Sequence, residues 1–339
     1  MISIRSPGRE GEHSNVKIKA LAFVLTAALL LCGCGQKSET AAAVPAQAVT
    51  ASAAQSGTAR PASTGVTPEQ FGAKGDGIAD DLQALQAAMQ QASASGRPLE
   101  LTAGAVYRFS SCLGLPSGLT IRGNGAVLLS DIQYPDLRED RVAVELMKDS
   151  DDDRAHDVRL KNVTFRAADS CQANYMLRVM LARNVEFVGC TFDCEPNEWG
   201  RCAADLYGGN ENIRFEGCVF RQMTSGASGG IWVRNWTDRV ESRKIRFQNC
   251  EFYKSGADEL LAVWGWGGAV RDVVLSGCSF YETQTQEALD AGHRPVWFIT
   301  LGQSGTTDVR MEDCTVRAEH CETIFRMVGD KTRAVVDNC

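Results

Sequence analysis

Five side chains in the middle of this 339-residue sequence have types that could carry acid–base chemistry. Asp205, Asp258, Glu259 and His293 are candidate acids or bases, and Arg234 is a candidate partner for a negative charge. An acid or imidazole beside a sugar C–H, with an arginine or Ca²⁺ neutralising the adjacent carboxylate, would suit elimination. Two carboxylates flanking a glycosidic bond would suit hydrolysis. Arg178 and Tyr207 offer hydrogen bonds nearby, and Trp232, Trp236, Trp264, Trp266 and Trp297 offer apolar faces of the kind that sugar rings cover. Whether any of these groups meet depends on the elements that carry them.

Those elements are repeats. The stretches VRLKNVTF (158–165), VEFVGCTF (185–192), IRFEGCVF (213–220), IRFQNCEF (245–252), VVLSGCSF (273–280) and VRMEDCTV (309–316) share one template. LTIRGNGA (119–126) is a degenerate first copy and AVVDNC (334–339) an unfinished last one. The slot filled by cysteine recurs at steps of 25 to 39 residues, the range of a solenoid. Within a copy, inward parity at period two slips by one residue. The residue at the slip is Gly123, Asn162, Gly189, Gly217, Asn249, Gly277, Asp313 or Asn338, always a type that tolerates the left-handed conformation of a sharp corner. A third apolar run completes most coils: 175–180, 204–208, 230–235, 259–265, 295–302 and 323–329. Three strands per coil around one left-handed corner is a parallel β-helix. At about 4.8 Å per coil, eight rungs span roughly 35–40 Å.

The repeat sorts the cysteines and the candidate site. Cys190, Cys218, Cys250, Cys278, Cys314 and Cys339 share one inward slot, where thiols act as small apolar groups, and parallel stacking does not suit disulfide geometry. Phe165, Phe192, Phe220, Phe252 and Phe280 form a ladder beside them. Of the remaining cysteines, Cys194 and Cys202 bracket the short loop CEPNEWGRC and are expected as a disulfide. Aligning 224–236 with 254–266 points Trp232, Arg234 and Trp264 outward and stacks Trp236 on Trp266. Asp205 and Arg234 then occupy outward positions of neighbouring coils, with Tyr207 and Arg178 near. They read equally as a site or as a structural ion pair. The acidic run 149–153 reads as a Ca²⁺ ligand set or as a solvated turn.

The chain before residue 67 does not belong to the solenoid. Residues 20–31 form a twelve-residue apolar run behind Lys17 and Lys19, too short for a comfortable membrane span and fitting a signal-peptide core. LCGC (31–34) resembles a bacterial lipobox, which implies cleavage after residue 33 and a lipidated Cys34. Residues 34–66, rich in Ala, Ser, Thr, Gln and Gly, then form a flexible tether. After Cys34 there are 31 Lys and Arg against 40 Asp and Glu, which argues against a nucleic-acid partner.

The segment FGAKGDGIADDLQALQAAM (71–89), followed by LELTAGAVYRFSSCLGLPSGLTIRGNGAVL (99–128), resembles the amino-terminal part of the pectate lyase superfamily, including its rhamnogalacturonase and epimerase-like members. The resemblance is tight over about sixty residues and architectural beyond them. It implies an all-β, right-handed parallel β-helix with three strands per coil and an N-terminal capping α-helix. The period predicts that helix over 80–94, with Asp80 and Asp81 in its first turn. A nucleotide-binding reading of the glycines fails, because neither a Walker nor a Rossmann spacing is present. The family also implies a substrate groove along the third strand. GADELLAV faintly resembles the GDD element of polygalacturonases, but Ser228 and Gly229 align with Asp258 and Glu259, and that family's Gly-His-Gly and Arg-x-Lys elements are missing.

The expected organisation is a signal peptide at 1–33, a lipidated tether at 34–66, a cap at 67–105 and a β-helix at 106–339. The expected function is that of a lipoprotein of the outer membrane, cell surface or periplasm that acts on uronate-containing or complex polysaccharide, as a lyase or glycoside hydrolase. The alternative is a non-catalytic carbohydrate-binding or structural β-helix. No cofactor beyond Ca²⁺ is suggested, and an uncapped C-terminal coil would allow oligomers.

Overall fold

The computed structural model describes residues 65–133, 141–147, 153–194, 202–223, 230–235, 240–254, 260–265, 268–283, 286, 290, 297–302, 305–321, 323–329 and 331–339. Among them, every strand pairing is parallel, and the strands form two nine-stranded sheets and one eight-stranded sheet. The chain visits the three sheets in turn, which makes a right-handed parallel β-helix with three strands per coil. The pre-corner sheet runs from Leu99–Glu100 to Thr332–Asp337. The aromatic sheet runs from Asp76–Asp80 to Thr315–Arg317, and the third sheet from Leu113–Gly114 to Thr323–Val328.

The corner between the first two sheets is left-handed in each coil: Asn162 (φ 53), Gly189 (φ 61), Gly217 (φ 58), Asn249 (φ 53), Gly277 (φ 62), Asp313 (φ 52) and Asn338 (φ 50). Glycine at 189 also answers to its neighbour, because a Cβ there would sit 2.5 Å from Asn162 Oδ1. The first coil departs from expectation. Its left-handed residues are Asn124 and Gly125, not Gly123. Ile121 pairs with Leu160 and Val127 with Thr164, so this corner holds two more residues than the next and turns later.

The core follows from the parity. Phe165, Phe192, Phe220, Phe252 and Phe280 stack in register with centroids 4.6 to 5.1 Å apart. A second column, Phe187, Phe215 and Phe247, stacks at 4.8 and 5.0 Å and meets the first edge-on. Cys190, Cys218, Cys250, Cys278 and Cys314 lie buried beside them. Each of these thiols donates to a carbonyl of the preceding coil, as Cys218 does to Phe187 O at 3.3 Å.

The helix is Leu82–Ser95, ended by left-handed Gly96, and it packs Leu85, Ala88, Met89 and Ala92 onto the first rung. Asp80 and Asp81 precede it instead of forming its first turn. Asp80 Oδ1 accepts from Leu82 N at 3.2 Å, at the start of the helix. Buried Asp81 accepts from Lys74 N at 2.7 Å and Gly75 N at 3.0 Å, which folds the glycine-rich loop back on itself. Backbone donors of that loop are thus spent internally, in keeping with a structural role.

Candidate functional site

The third sheet turns one side inward and the other outward. Leu177, Val179, Leu206, Val233 and Val263 join the core. On the outer side, Arg178, Asp205, Trp232, Ala262 and Thr300 lie in register across five strands. The adjoining row runs Tyr207, Arg234, Trp264 and Gly302.

These outward residues converge on Asp205. Its carboxylate is 0% exposed and sits between Arg178 (7%) and Arg234 (6%). Arg234 donates Nε to Oδ1 at 2.7 Å and Nη2 to Oδ2 at 2.8 Å, and Arg178 donates Nε to Oδ2 at 3.1 Å. Burial works against the charge on Arg234, but the hydrogen bond and charge of Asp205 outweigh it and raise its pKa. Aromatic rings surround the guanidinium groups. Arg178 lies 4.4 Å from the Tyr175 centroid, and Arg234 lies 4.2 Å from Trp232 and 4.9 Å from Tyr207. Trp232 and Trp264 are 5.4 Å apart, and Tyr175 meets Trp232 edge-on at 6.1 Å. Glu145 lies in register with Arg178 on the preceding strand, so two carboxylates accompany the two guanidinium groups beneath a set of rings.

Two polar atoms here are buried without a hydrogen-bond partner among the described residues: Trp232 Nε1 and Thr300 Oγ1. Each costs free energy as long as it stays unmatched. Asp205, for its part, has no exposed surface and both oxygens engaged, an arrangement that holds neighbouring groups in place.

Cys202 belongs to this outer cluster, whereas Cys194 lies in the main core. The structure draws no bond between the two sulfurs, contrary to the expected disulfide. Burial, then the charge of Asp205, drives the Cys202 pKa well above its ordinary value.

Of the other candidates, Trp297 opens the strand Trp297–Gly302 in register with Thr323. Trp236, Asp258, Glu259, Trp266, His293 and Cys34 lie outside the described residues. Of the acidic run 149–153, only Asp153 is described, and among the described residues no three His, Cys, Asp or Glu side chains gather as metal ligands. Sequence reasoning missed Tyr175 and Thr300. Tyr175 begins a strand already recognised as outward-facing at Arg178, but only the coordinates show its ring beneath that guanidinium.

Comparison with known proteins bears on this architecture. A Geobacillus virus E2 protein, ORF18, superposes with a TM-score of 0.57 at 16% identity, covering 77% of this chain and 52% of the viral one. The chain therefore spans about half the length of that relative. The gp42 tailspike of Acinetobacter phage vb_AbaP_AS12 superposes with a TM-score of 0.50 at 13% identity, covering 80% of this chain and 45% of that one. The pre-mature gene product 12 of bacteriophage phi29 gives 0.50 at 18%, covering 78% and 34%. At these identities the likeness is one of fold. No curated protein matches the sequence. The family model described as rhamnogalacturonase A/epimerase, pectate lyase-like matches residues 66–339, and the chain belongs to that family.

Proposed function

We propose that the protein engages polysaccharide along the outer face of its third sheet. The observation that carries this reading is the set of rings (Tyr175, Tyr207, Trp232 and Trp264) held around a guanidinium pair. Rings offer apolar faces to sugar C–H groups, and guanidinium donors suit hydroxyl and carboxylate oxygens. The unmatched Trp232 Nε1 and Thr300 Oγ1 could donate to sugar oxygens. The family description, which names a rhamnogalacturonase and an epimerase, supports a polysaccharide as the ligand class. Asp205 serves this face by fixing both arginines.

A second reading, lyase or glycoside hydrolase activity, is favoured by the same family description. Asp258, Glu259 and His293 are then the acids and bases to replace, because Asp205 is sealed. On either reading the domain is displayed on a lipid anchor at Cys34, which the mass of the mature N-terminal peptide tests.

The deciding experiment is a panel of acidic and neutral polysaccharides, assayed by affinity gel electrophoresis, ultraviolet absorbance of unsaturated products, and reducing ends. Binding that Trp264→Ala weakens about tenfold supports the proposal. Binding that Trp232→Ala and Trp264→Ala leave untouched overturns it. Product formation lost in Asp258→Asn or Glu259→Gln selects the enzymatic reading.

A further inference from the structure

The pre-corner sheet carries, on its outer side, a charge pattern that the fold does not require. Glu211 is shared by three cations: Arg243 Nη2 at 2.8 Å, Lys244 Nζ at 3.4 Å and Arg154 Nη1 at 3.8 Å. Glu186 is shared by Arg159 at 3.0 Å and Arg214 at 3.3 Å, and Arg214 also reaches Glu216 at 2.8 Å. Arg183 lies in register with Glu211 on the neighbouring strand and is exposed. With Arg246–Asp272 at 2.6 Å and Arg271–Glu241 at 2.9 Å on or beside the same strands, eight cations answer five carboxylates, on a chain whose formal net charge is −7. Burial works to raise the pKa of Glu211, but Lys244 and Arg243 outweigh it and lower it, so the carboxylate stays charged.

Stability alone does not account for the pattern. Arg214 sits directly beside Arg246, and Arg243 beside Arg271, on adjacent strands, each with a carboxylate partner of its own. Like charges at such positions disfavour the pairing. Lys244 also occupies a left-handed backbone position, φ 56, where a long side chain is strained. From Ala155–Lys161 to Ala269–Ser276 the cations recur over five strands, a track of roughly 20 Å along the helix axis.

We propose that this face is a second glycan surface, which takes an extended acidic polysaccharide laid along the helix axis. Excess cations meet the polymer's carboxylates or sulfates. The interleaved Glu186, Glu211 and Glu216 accept its hydroxyl hydrogens. Those same carboxylates would repel the dense phosphates of a nucleic acid or an anionic lipid surface, which offer few donors in return. The surface lies on a different sheet from the aromatic cluster, and the inference does not depend on the reading given to that cluster.

The test compares the intact mature protein with Arg183→Glu/Arg243→Glu/Lys244→Glu and with Trp264→Ala. The probes are alginate, dextran and phosphatidylglycerol vesicles at low and moderate salt. The charge-reversed protein is expected to lose about tenfold or more in alginate affinity, and the unmodified protein to lose affinity as salt rises. If reversal lowers the melting temperature, the glutamine triple variant provides the same comparison. Equal alginate affinity in the charge variants overturns the proposal, as does preference of the unmodified protein for vesicles over alginate. Loss in Trp264→Ala alone refutes this surface and leaves the third-sheet reading standing, whereas loss in the charge variants alone does the reverse.

Discussion

Arg234 grips Asp205 from the next coil with two parallel hydrogen bonds, 2.7 and 2.8 Å, at a depth where neither side chain is more than 8% exposed. Removing the carboxylate leaves Arg234 and Arg178 buried without their counter-charge. Asp205→Ala is expected to cost about 3–5 kcal/mol in urea unfolding. Asp205→Asn, which keeps one acceptor, should cost less. A loss below about 1 kcal/mol in the alanine variant would mean that water reaches the pair.

The thiol ladder should be chemically silent. Cys190, Cys218, Cys250, Cys278 and Cys314 are each no more than 3% exposed. Native-state alkylation followed by mass spectrometry should label exposed Cys339 and spare Cys190, Cys218, Cys250, Cys278 and Cys314 until denaturant is added. Labelling of Cys250 in the native protein would contradict the packing described.

A second left-handed column precedes the first inward residue of five coils: Asp157, Asn184, Asn212, Lys244 and Asp272, with φ between 52 and 58. Asn212 donates to Asn184 and Asn184 to Asp157, each at 2.9 Å. Lys244 is the member that neither favours this backbone nor extends the ladder. Lys244→Asn should therefore stabilise by about 0.5–1 kcal/mol, less whatever the exposed Glu211 pair contributes. A fall in the unfolding midpoint would show that the pair outweighs the backbone strain.

Tyr107 sets an alkaline limit. Burial, then the hydrogen bond to Glu69, raises its pKa from 10.0 to about 12. The folded state thus holds the proton more tightly than the unfolded chain. The stabilisation is fully present below pH 10 and is lost as pH rises through about 12. Tyr107→Phe should lower stability near neutrality by about 0.5–1.5 kcal/mol, because Thr102 N and Glu69 lose their partner. It should also flatten the alkaline decline in melting temperature. An unchanged decline would assign it to other groups.

The coils were legible in the sequence because two signals coincide: alternation at period two, and a parity slip that falls on Gly, Asn or Asp. Where one signal fails, so does the reading. The second left-handed column escaped notice because Lys244 breaks its composition, and the first corner was placed one residue early at Gly123. In the site, coil alignment was enough to bring Asp205 beside Arg234's strand. Side-chain reach was not legible, so neither the double clamp nor the ring of Tyr175 could be foreseen. The disulfide expectation rested on spacing alone, and spacing does not say which cluster each sulfur joins.

From Lys161 onward the corner between the pre-corner and aromatic sheets is the same length in coil after coil, as Val188–Gly189–Cys190–Thr191 and Glu216–Gly217–Cys218–Val219 illustrate. Lengths differ instead beside the third sheet, where one residue separates the strand ending at Met180 from that starting at Ala182 and seven separate Arg234 from Ser242. A change of length beside the third sheet therefore leaves the thiol and phenyl columns in register. New recognition can be tried there coil by coil, without renegotiating the scaffold that presents it.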